Sequence, residues 1–94
     1  MQVLPAVVAA LGEDYPVMID SGFRRGSDVF KALALGADAV ALGRAARWGL
    51  GAYGAQGVQR LLEVIQAELV HAAAYAGRPT LKSIDKTAVK VNFT

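Results

Sequence analysis

Cysteine is absent from the 94-residue chain, so no disulfide framework and no thiolate metal site can form. This fits a reducing compartment. With a single histidine, His71, no believable zinc set remains either. Charge is sparse as well. Ten Lys and Arg against eight Asp and Glu leave a net +2, and the basic residues form no run, so nucleic acid is not an expected partner. Apolar runs are too short to span a bilayer as a helix. The N-terminal stretch MQVLPAVVAALGEDYP carries no basic region ahead of its apolar part and no small-residue cleavage site after it, so it does not read as a signal peptide. There is no G-x-S-x-G nucleophile motif. Glu63 and Glu68 do not share a helix face, and Asp38 and Asp85 stand alone, so no glycosidase-like carboxylate pair exists.

What the chain has in excess is apolar material. Hydrophobic residues make up 54%, more than so short a chain readily buries by itself. The excess predicts packing against something outside these residues. Val3, Leu4, Val7, Val8 and Leu11 recur at helical spacing, with Pro5 tolerable in a first turn and Gly12 as a stop. PVMID at 16–20 reads as a short buried parallel strand, continuously apolar rather than alternating. A helix follows, with Ser27 or Asp28 as its cap, Val29, Phe30 and Leu33 on one face, and Gly36 at its end. AVAL at 39–42 is a second strand. After a glycine-dotted stretch, AARWGLGAYGAQG, a long helix carries Val58, Leu61, Leu62, Ile65, Leu69, Ala72, Ala73 and Ala76 close to one stripe, and Gly77 and Pro79 end it. The tail from about residue 80 to 94 is polar, with one turn expected around Leu81 to Asp85. Helix, strand, helix, strand, helix implies an α/β fold with parallel strands and crossover helices. Two strands alone do not make a covered parallel sheet, so the pattern is that of a slice of a larger architecture.

The chemistry gathers at the strand ends. Asp20, Ser21, Gly22 and Arg24 follow the first strand, and Gly43 and Arg44 follow the second. Glycine lets the backbone approach an anion. Free N–H groups at a helix start favour negative charge. Arginine adds a fork that pairs bidentately with phosphate oxygens. In a β/α barrel, ligands sit at the C-terminal ends of the strands, and the usual phosphate site uses the loops after the seventh and eighth strands with a short extra helix. An arginine at a loop end often does no more than solvate a surface. Two of them, each within two residues of a glycine and each just past an apolar strand, point instead to a dianionic phosphate.

The segment VMIDSGFRRGSDVFKALALGADAVALGRA resembles the C-terminal part of the FMN-dependent α-hydroxy-acid dehydrogenases and oxidases, with DSGFRRGSD and ALGR most similar to the mandelate dehydrogenase branch. The resemblance covers roughly residues 1 to 85. It implies a TIM (β/α)8 barrel in which residues 1–94 form the C-terminal part of one FMN-binding domain, supplying about the seventh and eighth strand–helix units. It further implies that Asp20 reaches the ribityl hydroxyls of FMN, that Gly22 approaches the phosphate through its backbone, that Arg24 and Arg44 pair with the phosphate, and that the Gly43 N–H points at it. Ser21 stands where many members have glycine, a change that a backbone contact survives. Arg25 is expected to be a structural partner rather than a ligand. The family's H-G-x-R motif, with its catalytic histidine and substrate-binding arginine, has no counterpart in these residues, nor do its flavin-supporting lysine and two active-site tyrosines. The implied role is therefore the phosphate-binding segment of an enzyme that oxidises a small α-hydroxy acid to a 2-oxo acid, inactive as these residues alone. The expected setting is a homo-oligomer in the cytoplasm, with any membrane attachment coming from a region outside the chain.

Other readings stay open on the residues alone. A non-catalytic half-barrel that pairs with a second copy of itself would account for the apolar excess, and IMP dehydrogenase and the type 2 isopentenyl diphosphate isomerase show similar strand-end patterns. GLGAYG at 49–54 matches G-x-G-x-x-G literally, but RAARW separates it from the strand, and no third strand follows, so flexible spacing is the expected reading. His71 lies deep in the last helix, far from both strand ends, and is expected on or near its surface. Trp48 follows the second loop closely, where packing beneath the phosphate loop is one role open to it and core packing is the default.

Overall fold

Short apolar runs bounded by turn residues become strands only where a neighbour supplies the ladder. In the computed structural model, which describes residues 1–91, β1 (Met18–Ile19) pairs in parallel with β2 (Ala39–Val40), Met18 opposite Ala39 and Ile19 opposite Val40. The Val17 carbonyl accepts from the Asp38 and Ala39 amides, and the Ile19 carbonyl accepts from the Ala41 amide. The Asp38 carboxylate accepts the Val17 N–H at 2.8 Å, giving an acid that looks isolated in sequence a plain structural task. Both strands are shorter than the runs at 16–20 and 39–42, since each has only one neighbour among the described residues. Met18 is 69% exposed, so β1 is not the fully buried strand that its composition suggests.

Helices α1 (Leu4–Leu11), α2 (Gly26–Ala34) and α3 (Arg44–Tyr75) surround this pair. Pro5 sits in the first turn of α1, as its sequence position allows. Leu4 is buried and Val8 packs on the core, while Val3, Val7 and Leu11 face outward. The main core joins Leu4, Phe23, Val29, Ala32, Ala37 and Ile65. A second cluster sets Phe30 and Ala34 against Ile84, so the tail docks through one buried side chain. The tail forms two 3₁₀ turns, Leu81–Ser83 and Lys86–Ala88, the first capped by the Thr80 hydroxyl. Arg78 ties them together by donating to the Ser83 carbonyl at 3.0 Å and to the Thr87 hydroxyl at 2.8 Å. Residues 92–94 of the expected tail lie outside the described residues.

The glycine-dotted stretch is helical, which corrects the expectation of flexible spacing. Helix α3 starts at Arg44 and breaks only at Tyr53 and Gly54, giving arms 44–52 and 55–75. The arms fold back so closely that a Cβ on Gly49 would lie 2.6 Å from the Gly57 carbonyl oxygen, and a Cβ on Gly57 would overlap the Gly49 carbonyl. The G-x-G-x-x-G match is thus part of a helix–helix corner. Gly57→Ala should lower stability by about 1–3 kcal/mol despite alanine's better helix propensity, because backbone on both arms must shift. Gly51→Ala, whose added methyl meets open space, should be neutral or stabilising by up to about 1 kcal/mol. Paired thermal melts of the two variants check the contrast.

Candidate functional site

The loop after β1 is anchored from below. Phe23 is 6% exposed and belongs to the main core, so its neighbours in the loop are turned outward. The Asp28 carboxylate accepts the amides of Arg24 and Arg25, both at 3.1 Å, which orders the loop at the start of α2. Asp28 therefore works from inside the first turn, with Arg25 at the cap position, rather than as the cap itself; Ser27 is not the cap either. Ser21 and Gly22 both take left-handed backbone, φ 83° and 82°. Serine holds this conformation at a cost of about 1–2 kcal/mol that glycine avoids.

The adjacent arginines part company. Arg25 donates to both Glu68 oxygens through Nε, at 3.2 and 3.0 Å, and through Nη2 at 3.0 Å. Glu68 also accepts the Gly26 N–H at 2.8 Å. A Cβ on Gly26 would overlap the α3 backbone at Glu68 and Leu69, so this contact brings α2 and α3 together at close range. The hydrogen bond from Arg25, followed by that from the Gly26 amide, holds the Glu68 carboxyl below its ordinary range, and the same Glu68 contact raises Arg25 further. Arg25 is a structural partner, as expected.

Arg24 goes the other way. Its guanidinium lies over the Trp48 ring, 5.2 Å from the centroid, within range of a cation–π contact. Trp48 is 52% exposed and so is not the core residue that its type suggests. A cleft of about 330 Å³ opens here. Asp20, Ser21, Gly22, Arg24, Gly43 and Arg44 all line it, so the structure brings together every strand-end residue singled out in the sequence. It adds Arg47, which the sequence pattern alone did not place in the site, and brings Trp48 to the loop rather than to the core. The signal for both was one helical turn away: residues three and four beyond Arg44 share its helix face once 44–52 is known to be helical.

The donor set suits an anion. Among the described residues, no salt bridge engages Arg24, Arg44 or Arg47, and the ion pairs present involve Arg25, Arg60 and Arg78. Helix α3 starts at the cleft with no side-chain cap, so its first N–H groups have no intrahelical partner and carry the positive end of the helix dipole. Asp20 is the one acid lining the cleft, and its carboxylate accepts from the Ser21 hydroxyl at 3.3 Å. His71 is exposed on α3 and lies outside the cleft lining. Among the described residues no cluster of metal-ligating side chains occurs, and no helix is long and apolar enough to cross a membrane.

The lowered carboxyl of Glu68 sets a pH signature. Its stabilising effect is fully present above the ordinary glutamate pKa of about 4.3 and is lost as pH falls through the lower folded value. Glu68→Gln, which keeps an acceptor for Gly26 but removes the charge, should lower the melting temperature at pH 7. That gap should close as the pH is taken below about 4. Melts of the two proteins across pH 7 to 3 check this.

Comparisons with known proteins agree in direction. A family model described as FMN-dependent dehydrogenase matches residues 1–91. Human 2-hydroxyacid oxidase 1 is 47% identical over 92 residues, 98% of this chain and 25% of that protein. The (S)-mandelate dehydrogenase of Pseudomonas putida is 51% identical over 84 residues, 89% of this chain and 21% of that protein. A crystal structure of a soluble mutant of that membrane-associated enzyme matches with a TM-score of 0.89 at 47% identity, over 95% of this chain and 25% of its own. The solved neighbours are TIM-barrel flavoenzymes. The chain spans about a quarter of the length of the relatives it matches.

Proposed function

The chain belongs to the FMN-dependent dehydrogenase family, and from that premise we propose that it supplies the cofactor-phosphate site of an enzyme oxidising an α-hydroxy acid to a 2-oxo acid. The observation that carries the proposal is the cleft itself, where both strand ends deliver arginines without acid partners beside an uncapped helix start. In this reading β1 and β2 are the seventh and eighth strands of a (β/α)8 barrel, and residues 1–94 belong to that single domain. Arg24 and Arg44 pair with the phosphate of FMN. The Gly43 N–H and the first amides of α3 point at it, and Gly22 and Ser21 approach it through their backbone. Asp20, an acceptor at the cleft edge, takes the ribityl hydroxyls.

Bound FMN supplies the electron acceptor for the oxidation. The residues described here bind and orient it; none of them is assigned the proton abstraction from the hydroxy acid. That base, and the groups that hold the substrate carboxylate, belong to the rest of the barrel. The exposed Val3, Val7, Leu11 and Met18 and the open sheet edges support such a partner. A homo-oligomer in the cytoplasm completes the proposal, with any membrane attachment made elsewhere in the assembly.

Titration of FMN and riboflavin against the purified protein, read by flavin fluorescence, tests the reading. FMN should bind at least about 100-fold tighter than riboflavin, since only FMN offers a dianion to the charged donors. Arg44→Leu should remove most of that difference. Equal affinity for the two flavins would sink the proposal. Sedimentation of the same sample shows whether a second copy or a larger partner covers the open edges.

A further inference from the structure

We infer that Arg47 is a third cationic contact to the cofactor phosphate, supplied by the first turn of α3 rather than by either strand-end loop. The inference rests on the flavin-phosphate reading above and adds to it a residue that lies outside the DSGFRRGSD and ALGR patterns. Arg44, Arg47 and Trp48 stand at i, i+3 and i+4 of one helix and therefore share a face. The direction of that face is set by Trp48, which meets the guanidinium of Arg24 from the loop after β1. Arg47 lines the same cleft as Arg24 and Arg44, and no acid among the described residues forms a salt bridge with it.

The electrostatics give this arrangement a purpose. Three guanidiniums around one cleft repel one another when it holds no anion, and Asp20 offsets only one of them. Such a concentration of like charge is relieved by a phosphate monoester dianion, which offers three acceptor oxygens to guanidinium forks and helix amides. An arginine merely solvating the helix surface would have no reason to respond to phosphate. The Arg47 contact should therefore favour the phosphorylated flavin and leave the isoalloxazine and ribityl parts unaffected.

The test compares the full chain carrying Arg47→Leu, Arg47→Lys or Arg60→Leu with the unaltered protein, using FMN, riboflavin and inorganic phosphate as probes. Arg60 sits on the other arm of α3, paired with Glu63 at 3.4 Å and outside the cleft, so it controls for the general field of a lost positive charge. Arg47→Leu should weaken FMN binding about tenfold and phosphate competition in parallel, with riboflavin unchanged. Arg47→Lys should recover part of the loss, because the charge returns without the fork. Arg60→Leu should change nothing. Unaltered FMN affinity in Arg47→Leu, with Arg24→Leu and Arg44→Leu still weakening it, would overturn the role of Arg47 and leave the flavin site standing. Equal losses in Arg47→Leu and Arg60→Leu would overturn it too, as a field effect. A protein that binds neither FMN nor phosphate would remove both readings together.

Discussion

The site depends on one pairing. Because β1 and β2 run parallel with Ile19 opposite Val40, both strands leave the sheet at the same end. Gly22 and Gly43 then each lie three residues beyond their strand's last paired residue. An antiparallel pair would send the two loops to opposite ends and separate Arg24 from Arg44 by the length of the strands. Parallel pairing requires a crossover, and α2 is that crossover. Its closeness to α3, set by Gly26 and the Glu68 carboxylate, carries the loop after β1 with it.

The double arginine follows from this geometry. Arg25 has extended backbone, φ −127° and ψ 156°, and side chains on an extended segment alternate. One guanidinium is directed to Glu68 and fastens the loop to α3, and its neighbour is directed to the cleft. The two residues are equal in composition and opposite in task. Phe23 makes the division possible by burying the loop's one large apolar side chain, so that the polar residues around it face out. The Arg25–Glu68 pair is largely solvated on the arginine side, so its contribution to stability is that of a modest surface ion pair.

The gathering of the strand-end residues was legible because glycine and arginine collect within a few residues after each apolar run, and parallel strands bring such loops to one end of the sheet. The structural task of Arg25 and the exposed place of His71 were legible as well: each stands in a context that leaves it one role. The start of α3 was not. Gly49, Gly51, Gly54 and Gly57 each weaken a helix by about 1 kcal/mol relative to alanine, so local propensity argues for a loop. Tertiary packing overrides it, since only glycine lets the two arms meet at Gly49 and Gly57. Missing that helix hid Arg47, whose relation to Arg44 exists only when the segment is coiled. The short strands and the exposed Met18 have a different cause. Strand length and burial are properties of neighbours, and with one neighbour each the two strands form a ladder shorter than their apolar runs.

The same exposed surfaces bear on how the site works. In this structure the cleft's arginines face water, where each contact with an anion is weakened by competing solvent and screened by salt. Covering the open edges of the sheet would lower the local dielectric around the cleft, and that strengthens attraction to an anion and repulsion among the guanidiniums alike. Closure without a bound phosphate would then be opposed by three crowded positive charges, and closure with one would be favoured. Under the proposed barrel placement, cofactor binding and completion of the fold are coupled: a ligand that prefers the closed state stabilises it by mass action. Under that placement, the positive charge that opposes burial of the empty cleft is the same charge that would hold a phosphate there.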